Sequence, residues 1–308
     1  MMRPSLKSIA GHILPERVKS HLGILRDRLQ RPDAFVVSYP KSGRTWLQMM
    51  VARAYQQTSG LALEELLAQQ HRNIGDKDTG RQVPIIRFGH GYRYKYFCQG
   101  AKFPAWYYRN ARVALLVRDP RDTLVSWFYY QKYHFQSFNG SLHDFAMTSG
   151  SDRHPEDHLA RTGIEPILKY YATWLENRDC FRDLLIMYYE DFRAHPETQL
   201  RRLFDFAGVS VPEDVLRDAV QFASFENMRQ MEQNRTLAWN ALPGGKNQRG
   251  FKTRRAQVNG FRDELCEEDL GHLNSTMRVA SVACFDRYLG NRAQNSESAP
   301  VHTTRRAS

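Results

Sequence analysis

The sequence predicts an α/β fold, a three-layer sandwich in which helices flank a central, mostly parallel β-sheet. Short, nearly continuous apolar runs alternate with segments of helical spacing along the chain. Apolar runs of this kind are typical of strands buried on both faces, as in parallel sheets. The chain has 308 residues and 42% hydrophobic content, which is enough for one large core. Strand–helix alternation around such a core indicates helices on both faces of the sheet.

Four apolar runs are predicted as strands. They are AFVVSY at 34–39, PIIRFGH at 84–90, RVALLVRD at 112–119 and DLLIMYYED at 183–191.

Helices are predicted between and after these runs from the recurrence of apolar residues at helical spacing. A segment that begins with Pro196 breaks at Gly208, and a second Pro-Glu-Asp start follows it. The predicted helical segments are 44–57, 121–133, 163–178, 196–209 and 212–224.

The chain is expected to form one domain over residues 1–290, with a peripheral helical segment at 1–33. Residues 291–308 are polar and are predicted to be disordered. The stretch 234–262 is rich in Gly, Asn, Gln and Arg, and a loop of that length is usually functional.

The location expected from the sequence is cytoplasmic. There is no apolar run long enough for a transmembrane segment, and the N-terminus is a poor secretion signal. The four cysteines lack C-x-x-C spacing, so they are interpreted as reduced thiols and not as zinc ligands.

The charge balance favours an anionic partner. The chain carries 44 Lys and Arg against 33 Asp and Glu, a formal net charge of +11. A solvated basic surface is the simpler interpretation of the charge alone. Because no zinc finger, basic zipper or RNA-recognition strand is present, nucleic acid is not expected to be the primary partner.

The loop after the first predicted strand contains Lys41, Ser42, Gly43 and Thr45. A helix that starts near Gly43 presents unpaired backbone N–H groups and a partial positive charge, so the loop predicts a cup for phosphate or sulfate. The alternative is that Ser42 caps the helix and Lys41 points to water. The loop lacks the first glycine of G-x-x-x-x-G-K-[ST], which argues against a nucleotide or sugar kinase.

A second anion-binding pattern follows the third predicted strand. Arg118 lies at the strand end, and Ser126 lies further along the helix that begins after Asp119-Pro120. An arginine and a hydroxyl placed in this way can hold one phosphate from two sides. The alternative is that Arg118 pairs with Asp122 and that Ser126 is an ordinary helix residue.

Together these two segments resemble a known family. YPKSGRTW is similar to the 5′-phosphosulfate-binding loop, YPKSGTTW, of sulfotransferases that use 3′-phosphoadenosine 5′-phosphosulfate (PAPS). VRDPRDTLVSWFYY is similar to their 3′-phosphate motif, R-N-P-x-D-x-x-V-S, and the order is the same. The resemblance implies that the sheet carries a P-loop-like phosphosulfate-binding loop.

Weaker matches extend the resemblance to about residue 265. PIIRFGH ends at the position of the family's catalytic histidine, MYYEDFRAHP places a tyrosine at the adenine, FASFENM brings two residues near the nucleotide, and RRAQVNGFRDEL supplies a basic pair for the 3′-phosphate. The residues at these positions are His90, Tyr189, Ser224, Phe225, Arg254 and Arg255.

The sequence also departs from the family pattern. Arg44 replaces the first of two threonines, and Phe88 stands where many members have the lysine of K-T-H. Ala223, Ala256 and Phe261 replace a threonine, a glycine and a tryptophan. None of these changes removes Lys41, His90, Arg118 or Ser126.

The resemblance implies transfer of a sulfuryl group from PAPS to a hydroxyl or amine of a small-molecule, glycan or lipid acceptor, with 3′-phosphoadenosine 5′-phosphate (PAP) as product and no metal. Lys41 would neutralise the leaving phosphate, and His90 would act as general base. Aromatic and basic residues alternate at 90–97 and 127–135, which suits either an acceptor lining or ordinary packing. The residues implied to bind the donor are Lys41, Ser42, Gly43, Arg44, Thr45, Trp46, Arg118, Ser126, Tyr189, Ser224, Phe225, Arg254 and Arg255. A kinase and a non-catalytic anion-binding or nucleic-acid-binding protein remain the alternatives.

Overall fold

A computed structural model describes residues 32–63, 66, 73–76, 83–91, 102–148, 162–234 and 253–290. Its centre is a five-stranded sheet with the order β2-β3-β1-β4-β5. Strands β1, β3, β4 and β5 are parallel, whereas β2 pairs antiparallel with β3 at one edge. The strands are β1 (Ala34–Val37), β2 (Asn73–Asp76), β3 (Val83–Gly89), β4 (Arg112–Val117) and β5 (Asp183–Tyr188). The four predicted strands are therefore confirmed, and β2 is an element that the sequence did not predict.

The central strands are buried on both faces, as their apolar runs predicted. In β1, Phe35 and Val37 pack into one core, and Ala34 and Val36 pack into the other. This division follows from the alternation of side chains along a strand.

Helices cover both faces of the sheet and complete the three layers. The core on the Phe35 side includes residues of α3, α5 and α10, and the core on the Val36 side includes residues of α1, α7 and α8. The helices are α1 (Arg44–Ser59), α2 (Ala105–Tyr108), α3 (Pro120–Tyr130), α4 (Leu142–Met147), α5 (Glu165–Glu176), α6 (Tyr189–Ala194), α7 (Pro196–Ala207), α8 (Glu213–Phe222), α9 (Phe225–Gln233) and α10 (Glu267–Ala280). The predicted α/β sandwich is confirmed.

Helix ends follow local chemistry. Helix α7 ends at Gly208, which takes the left-handed conformation at φ 77° and donates its N–H to the last turn. Helix α3 continues into a π-helical turn at Gln131–Phe135, and short 3₁₀ helices lie at Arg178–Cys180, Gly260–Asp263 and Ala283–Tyr288.

The strand order places four loops at one edge of the sheet. The order reverses between β1 and β4, and the carboxyl ends of β1, β3, β4 and β5 share that edge. Open α/β sheets bind ligands beyond such ends, at the point of reversal. The segments after β1 and β4 are those that carry the predicted anion-binding residues.

Several expectations concern parts of the chain outside the described residues. They are most of the N-terminal segment 1–33, most of the stretch 234–262 and the tail 291–308. Among the helices that are described, none has the length and apolar character needed to cross a bilayer.

Candidate active site

A cavity of about 370 Å³ lies at the carboxyl edge of the sheet. Each of the four parallel strands contributes a residue to its wall, because the segment that follows the strand turns into the cavity. These residues are Lys41 after β1, His90 after β3, Arg118 after β4 and Tyr189 after β5. The volume is in the range of small-molecule and cofactor sites.

Most of the residues proposed from the sequence line this cavity. Two of them, Ser42 and Ser224, do not. The lining members of the proposed set are Lys41, Gly43, Arg44, Thr45, Trp46, His90, Arg118, Ser126, Tyr189, Phe225, Arg254 and Arg255.

The loop after β1 is shaped by its backbone. Lys41 has φ 70° and Gly43 has φ 92°, so two positions take the left-handed conformation. A Cβ on Gly43 would lie 2.5 Å from Cδ2 of Tyr189, so the loop packs closely on that ring. Gly43 is the N-cap of α1, and no side chain caps the helix. The alternative in which Ser42 caps the helix is therefore wrong, and the first residues of α1, Arg44 and Thr45, line the cavity.

The Ser42 hydroxyl is turned away from the cavity. It lies 3.0 Å from the Tyr171 hydroxyl, which donates its own proton to the Leu116 carbonyl. Ser42 must therefore donate to Tyr171, because a phenol has only one proton. The sequence placed this hydroxyl in the anion cup, whereas the structure uses it to fasten the loop to the core.

Ser224 also differs from its expected placement. It is the N-cap of α9, and its hydroxyl accepts the N–H of Asn227 at 3.4 Å. Its neighbour Phe225 is the residue of this pair that reaches the cavity.

Lys41 and Arg44 both place positive charge near the Tyr130 ring, which also lines the cavity. The Lys41 Nζ lies 4.3 Å from the centroid of the Tyr130 ring. Burial raises the pKa of Tyr130 to about 12, whereas the nearby Arg44 guanidinium acts in the opposite direction. Tyr130 therefore stays protonated near neutrality and is a poor candidate for a general base.

His90 is held by a backbone carbonyl. Its Nδ1 lies 2.8 Å from the oxygen of Ser38, the residue that follows β1. Because a carbonyl only accepts hydrogen bonds, Nδ1 carries a proton, and the lone pair of the neutral ring lies on Nε2. This tautomer is the one required for a base that acts through Nε2.

Arg118 joins three parts of the cavity wall. It donates from Nη1 to the Lys41 carbonyl at 3.1 Å and from Nη2 to the Gln257 carbonyl at 3.2 Å. Its guanidinium lies 4.5 Å from the centroid of the Tyr189 ring. The alternative partner Asp122 is also present, at 3.8 Å from Nη2. The ion pair and the cavity position therefore occur together.

Asp122 also accepts hydrogen bonds from a distant segment, which the sequence did not reveal. Its two oxygens accept the N–H groups of Asn259 and Phe261, each at 2.9 Å. Burial raises the pKa of this carboxyl, and the charge of Arg118 lowers it. Asp122 thus fastens the segment after residue 253 to helix α3.

The basic pair that lines the cavity, Arg254 and Arg255, is held by carboxylates. Arg254 Nη1 lies 2.8 Å from Glu264 Oε1, and Arg255 Nη1 lies 3.1 Å from the same atom. Arg255 Nη2 also contacts Asp263 at 2.8 Å. Arg254 lies 4.2 Å from the centroid of the Tyr129 ring.

Tyr189, which the resemblance places at the adenine, forms an aromatic wall with Trp46. Trp46 and Tyr189 pack edge to face with ring centroids 6.0 Å apart, and the Trp46 indole N–H donates to the Ala223 carbonyl at 2.7 Å. Arg193 lies 5.5 Å from the Trp46 ring and also lines the cavity. The sequence did not single out Arg193, although it lies one helical turn after Tyr189 on α6.

A second aromatic group belongs to 127–135, one of the two segments that the sequence offered as a lining for the acceptor. Trp127, Tyr130 and Phe135 line the cavity and belong to the segment 127–135. Trp127 and Tyr130 stack with centroids 5.9 Å apart. The companion segment 90–97 lies outside the described residues after Gly91. Met228, Thr253 and Gln257 also line the cavity and were missed.

A group of metal-type ligands exists in the described part of the chain, where the sequence indicated none. His143, Cys266 and Asp269 bring their ligand atoms within 4.8 Å of one another. Asp269 accepts the Cys266 N–H at 3.1 Å and lies 2.7 Å from His143 Nδ1. A helix cap and an ion pair thus account for the grouping, and none of the three residues lines the cavity.

Comparison with known proteins identifies relatives of similar length. A human sulfotransferase 1C2 is 23% identical over 236 residues, covering 73% of this chain and 75% of the relative. A rabbit amine sulfotransferase is 23% identical over 255 residues, covering 77% and 76%.

Two solved structures share the fold. Mouse sulfotransferase SULT7A1 complexed with PAP has a TM-score of 0.53 at 17% identity, covering 83% of this chain and 88% of that one. Retinol dehydratase in complex with androsterone and inactive cofactor PAP has a TM-score of 0.53 at 16% identity, covering 83% and 84%.

The family model described as "Sulfotransferase domain" matches residues 102–287. The matched stretch includes the cavity residues from Arg118 to Arg255, and it begins after Lys41 and His90. Since the match spans more than half of the 308 residues, the chain belongs to the sulfotransferase family and is an enzyme that transfers a sulfuryl group.

Proposed function

We propose that this enzyme transfers the sulfuryl group of PAPS to a hydroxyl or amine of a small-molecule acceptor. The observation that carries the proposal is the meeting of two distant segments in one cavity. The Lys41–Trp46 segment and the Arg118–Ser126 segment lie at neighbouring strand ends, and Arg254 and Arg255 line the same cavity. A nucleotide with phosphates at its 5′ and 3′ positions suits a cavity that combines several cations with aromatic rings.

The residues present fit this donor. Lys41 and Arg44 supply positive charge to the cavity, together with the N–H groups at the start of α1. The lack of a Cβ at Gly43 lets the loop pack directly on the Tyr189 ring, with φ 92° at the start of α1. Arg118, Arg254 and Arg255 supply further positive charge to the same cavity.

When bound, PAPS supplies a sulfuryl group that is joined to the 5′-phosphate through a bridging oxygen. Lys41 is proposed to neutralise the negative charge that collects on that oxygen as its bond to sulfur breaks. In reactions of this kind, a cation placed in advance beside the developing charge often contributes most of the rate enhancement. The loop amides from Ser42 to Thr45 are proposed to hold the 5′-phosphate in line with the acceptor.

His90 is proposed to take the proton from the acceptor while the new bond to sulfur forms. Its Nδ1 proton is occupied by the Ser38 carbonyl, so Nε2 is the basic atom. The proton therefore passes from the acceptor to Nε2, and the electron pair of the broken bond remains on the bridging oxygen beside Lys41.

The acceptor is proposed to lie beside Trp127, Tyr130 and Phe135, because these rings line the cavity near Lys41. Aromatic walls of this kind hold apolar or planar molecules. One relative is named an amine sulfotransferase, so amines are included with hydroxyl compounds in the proposal.

Ligand-induced thermal stabilisation tests the donor. PAP is expected to raise the melting temperature more than ADP or AMP at equal concentration, because only PAP has a phosphate at both ends. Transfer of labelled sulfate to a panel of phenols, alcohols and amines would then identify the acceptor class. Equal shifts with the three nucleotides, or a shift only with ATP and magnesium, would contradict the proposal.

A further inference from the structure

We propose that Glu264 is a positioning residue that sets the preference for a 3′-phosphate by holding Arg254 and Arg255 in one orientation. The inference rests on the proposed function, since it presumes that these arginines read the 3′-phosphate. Glu264 itself does not line the cavity, whereas both arginines do. It therefore acts on a ligand only through them.

The contacts of Glu264 are those of an anchor. Its side chain is 10% exposed, and its Oε1 accepts from both guanidinium groups, at 2.8 Å from Arg254 and 3.1 Å from Arg255. The Tyr129 hydroxyl is hydrogen-bonded to the same carboxylate, and burial together with this bond raises the pKa of Tyr129 to about 12. Tyr129 is therefore a permanent donor to Glu264 at neutral pH.

The ring of Tyr129 adds a second constraint. It lies under the Arg254 guanidinium, with 4.2 Å between the guanidinium carbon and the ring centroid. Glu264 and Tyr129 thus hold Arg254 from its edge and from its face. An unrestrained arginine side chain has many rotamers, and ordering it before the ligand arrives removes a cost from binding.

A carboxylate beside two arginines can also act as a competitor for the phosphate. In that case, removal of Glu264 would strengthen binding, because the remaining positive charge would be larger. If Glu264 instead positions the arginines, its removal would weaken phosphate binding. Both arginines line the cavity and contact Glu264, whereas Glu264 does not line it, and this favours positioning over competition.

The experiment measures dissociation constants for PAP and for AMP, which lacks the 3′-phosphate. We expect Glu264→Ala to weaken PAP binding roughly 10-fold and to leave AMP binding within about 2-fold. We expect Glu264→Gln to stay within about 3-fold of the unmodified protein for PAP, since its amide oxygen still accepts from both arginines. The Gln variant also keeps the test valid if the Ala variant folds poorly.

Asp263→Ala is the matched control. Asp263 contacts Arg255 alone of the two arginines, and its side chain is 51% exposed, so we expect less than about a 3-fold change for PAP. Unchanged or tighter PAP binding by Glu264→Ala would overturn the proposal, as would an equal loss of PAP and AMP binding. An unmodified enzyme that does not prefer PAP to AMP would instead contradict the proposed donor.

Discussion

Two groups of cations line the cavity, and they are held by different means. In the Lys41 subsite, the backbone sets the shape, through left-handed Lys41 and Gly43 and the start of helix α1. In the Arg254 subsite, side chains set the shape, because the Glu264 carboxylate binds both arginines.

This difference separates two kinds of vulnerability. A subsite made of N–H groups changes little when one side chain is shortened, but it fails when the backbone is forced to move. A subsite made of long arginines depends on the buried partners that order them. Substitutions in the two subsites test this contrast.

Replacing Lys41 tests the one side chain of the Lys41 subsite that is proposed to act in the chemistry. We expect Lys41→Ala to lower kcat roughly 100- to 1,000-fold, because it removes the cation beside the leaving oxygen. We expect the melting temperature to change little, and PAP binding to fall less than kcat. Steady-state kinetics with Lys169→Ala, an exposed lysine on α5, provides the control. A turnover within about 3-fold of the unmodified enzyme would remove Lys41 from the mechanism.

Gly43→Ala tests whether the backbone is the essential part of that subsite. The new Cβ would lie 2.5 Å from Cδ2 and 2.8 Å from Cε2 of Tyr189, at a residue with φ 92°. We expect PAP binding to weaken at least roughly 10-fold, since the loop or the ring must move. Isothermal titration calorimetry measures the loss.

Gly271→Ala is the matched control for this change. Gly271 lies inside helix α10, and a Cβ there would meet nothing within 4 Å. We expect unchanged PAP binding and slightly higher stability, because alanine is the better helix former. Equal PAP affinity in the two variants would show that the backbone of the loop tolerates distortion.

Arg118→Ala tests the arginine side chains that are proposed to bind the 3′-phosphate. We expect PAP to bind roughly 10-fold more weakly and AMP to change less, because the charge-assisted bonds to a 3′-phosphate are lost. The acceptor KM should stay near its original value. Equal losses for PAP and acceptor would assign Arg118 a structural role, through its bonds to Lys41 and Gln257. Arg182→Ala, an exposed arginine paired with Asp183, is the control.

The fold could be predicted from the sequence because buried parallel strands leave a continuous apolar signal. Runs such as RVALLV need no partner to be recognised. Strand β2 carries no such signal, since NIGD is polar and contains glycine, and it pairs only at the sheet edge.

The charged site residues that follow a strand end could be predicted from the sequence. The direction in which a side chain points, and hence its partner, was harder to predict. Lys41, His90 and Arg118 lie at the ends of β1, β3 and β4, and the topology brings such ends together. The anchors Asp122 and Glu264 could not be predicted, because their partners depend on how the segment after residue 253 folds back.

Ser42 shows most clearly that the sequence does not reveal where a side chain points. The single variants Ser42→Ala and Thr45→Ala test the placement of the two hydroxyls. Ser42 lies just before helix α1 and donates to buried Tyr171, whereas Thr45 lies in the first turn of α1 and lines the cavity. We expect Ser42→Ala to bind PAP within about 2-fold of the unmodified protein and to lose about 1 kcal/mol of unfolding free energy, measured by denaturant titration. We expect Thr45→Ala to keep its stability and to weaken PAP binding roughly 5-fold. The reverse pattern would mean that the loop turns when the donor binds, and that Ser42 belongs to the anion cup after all.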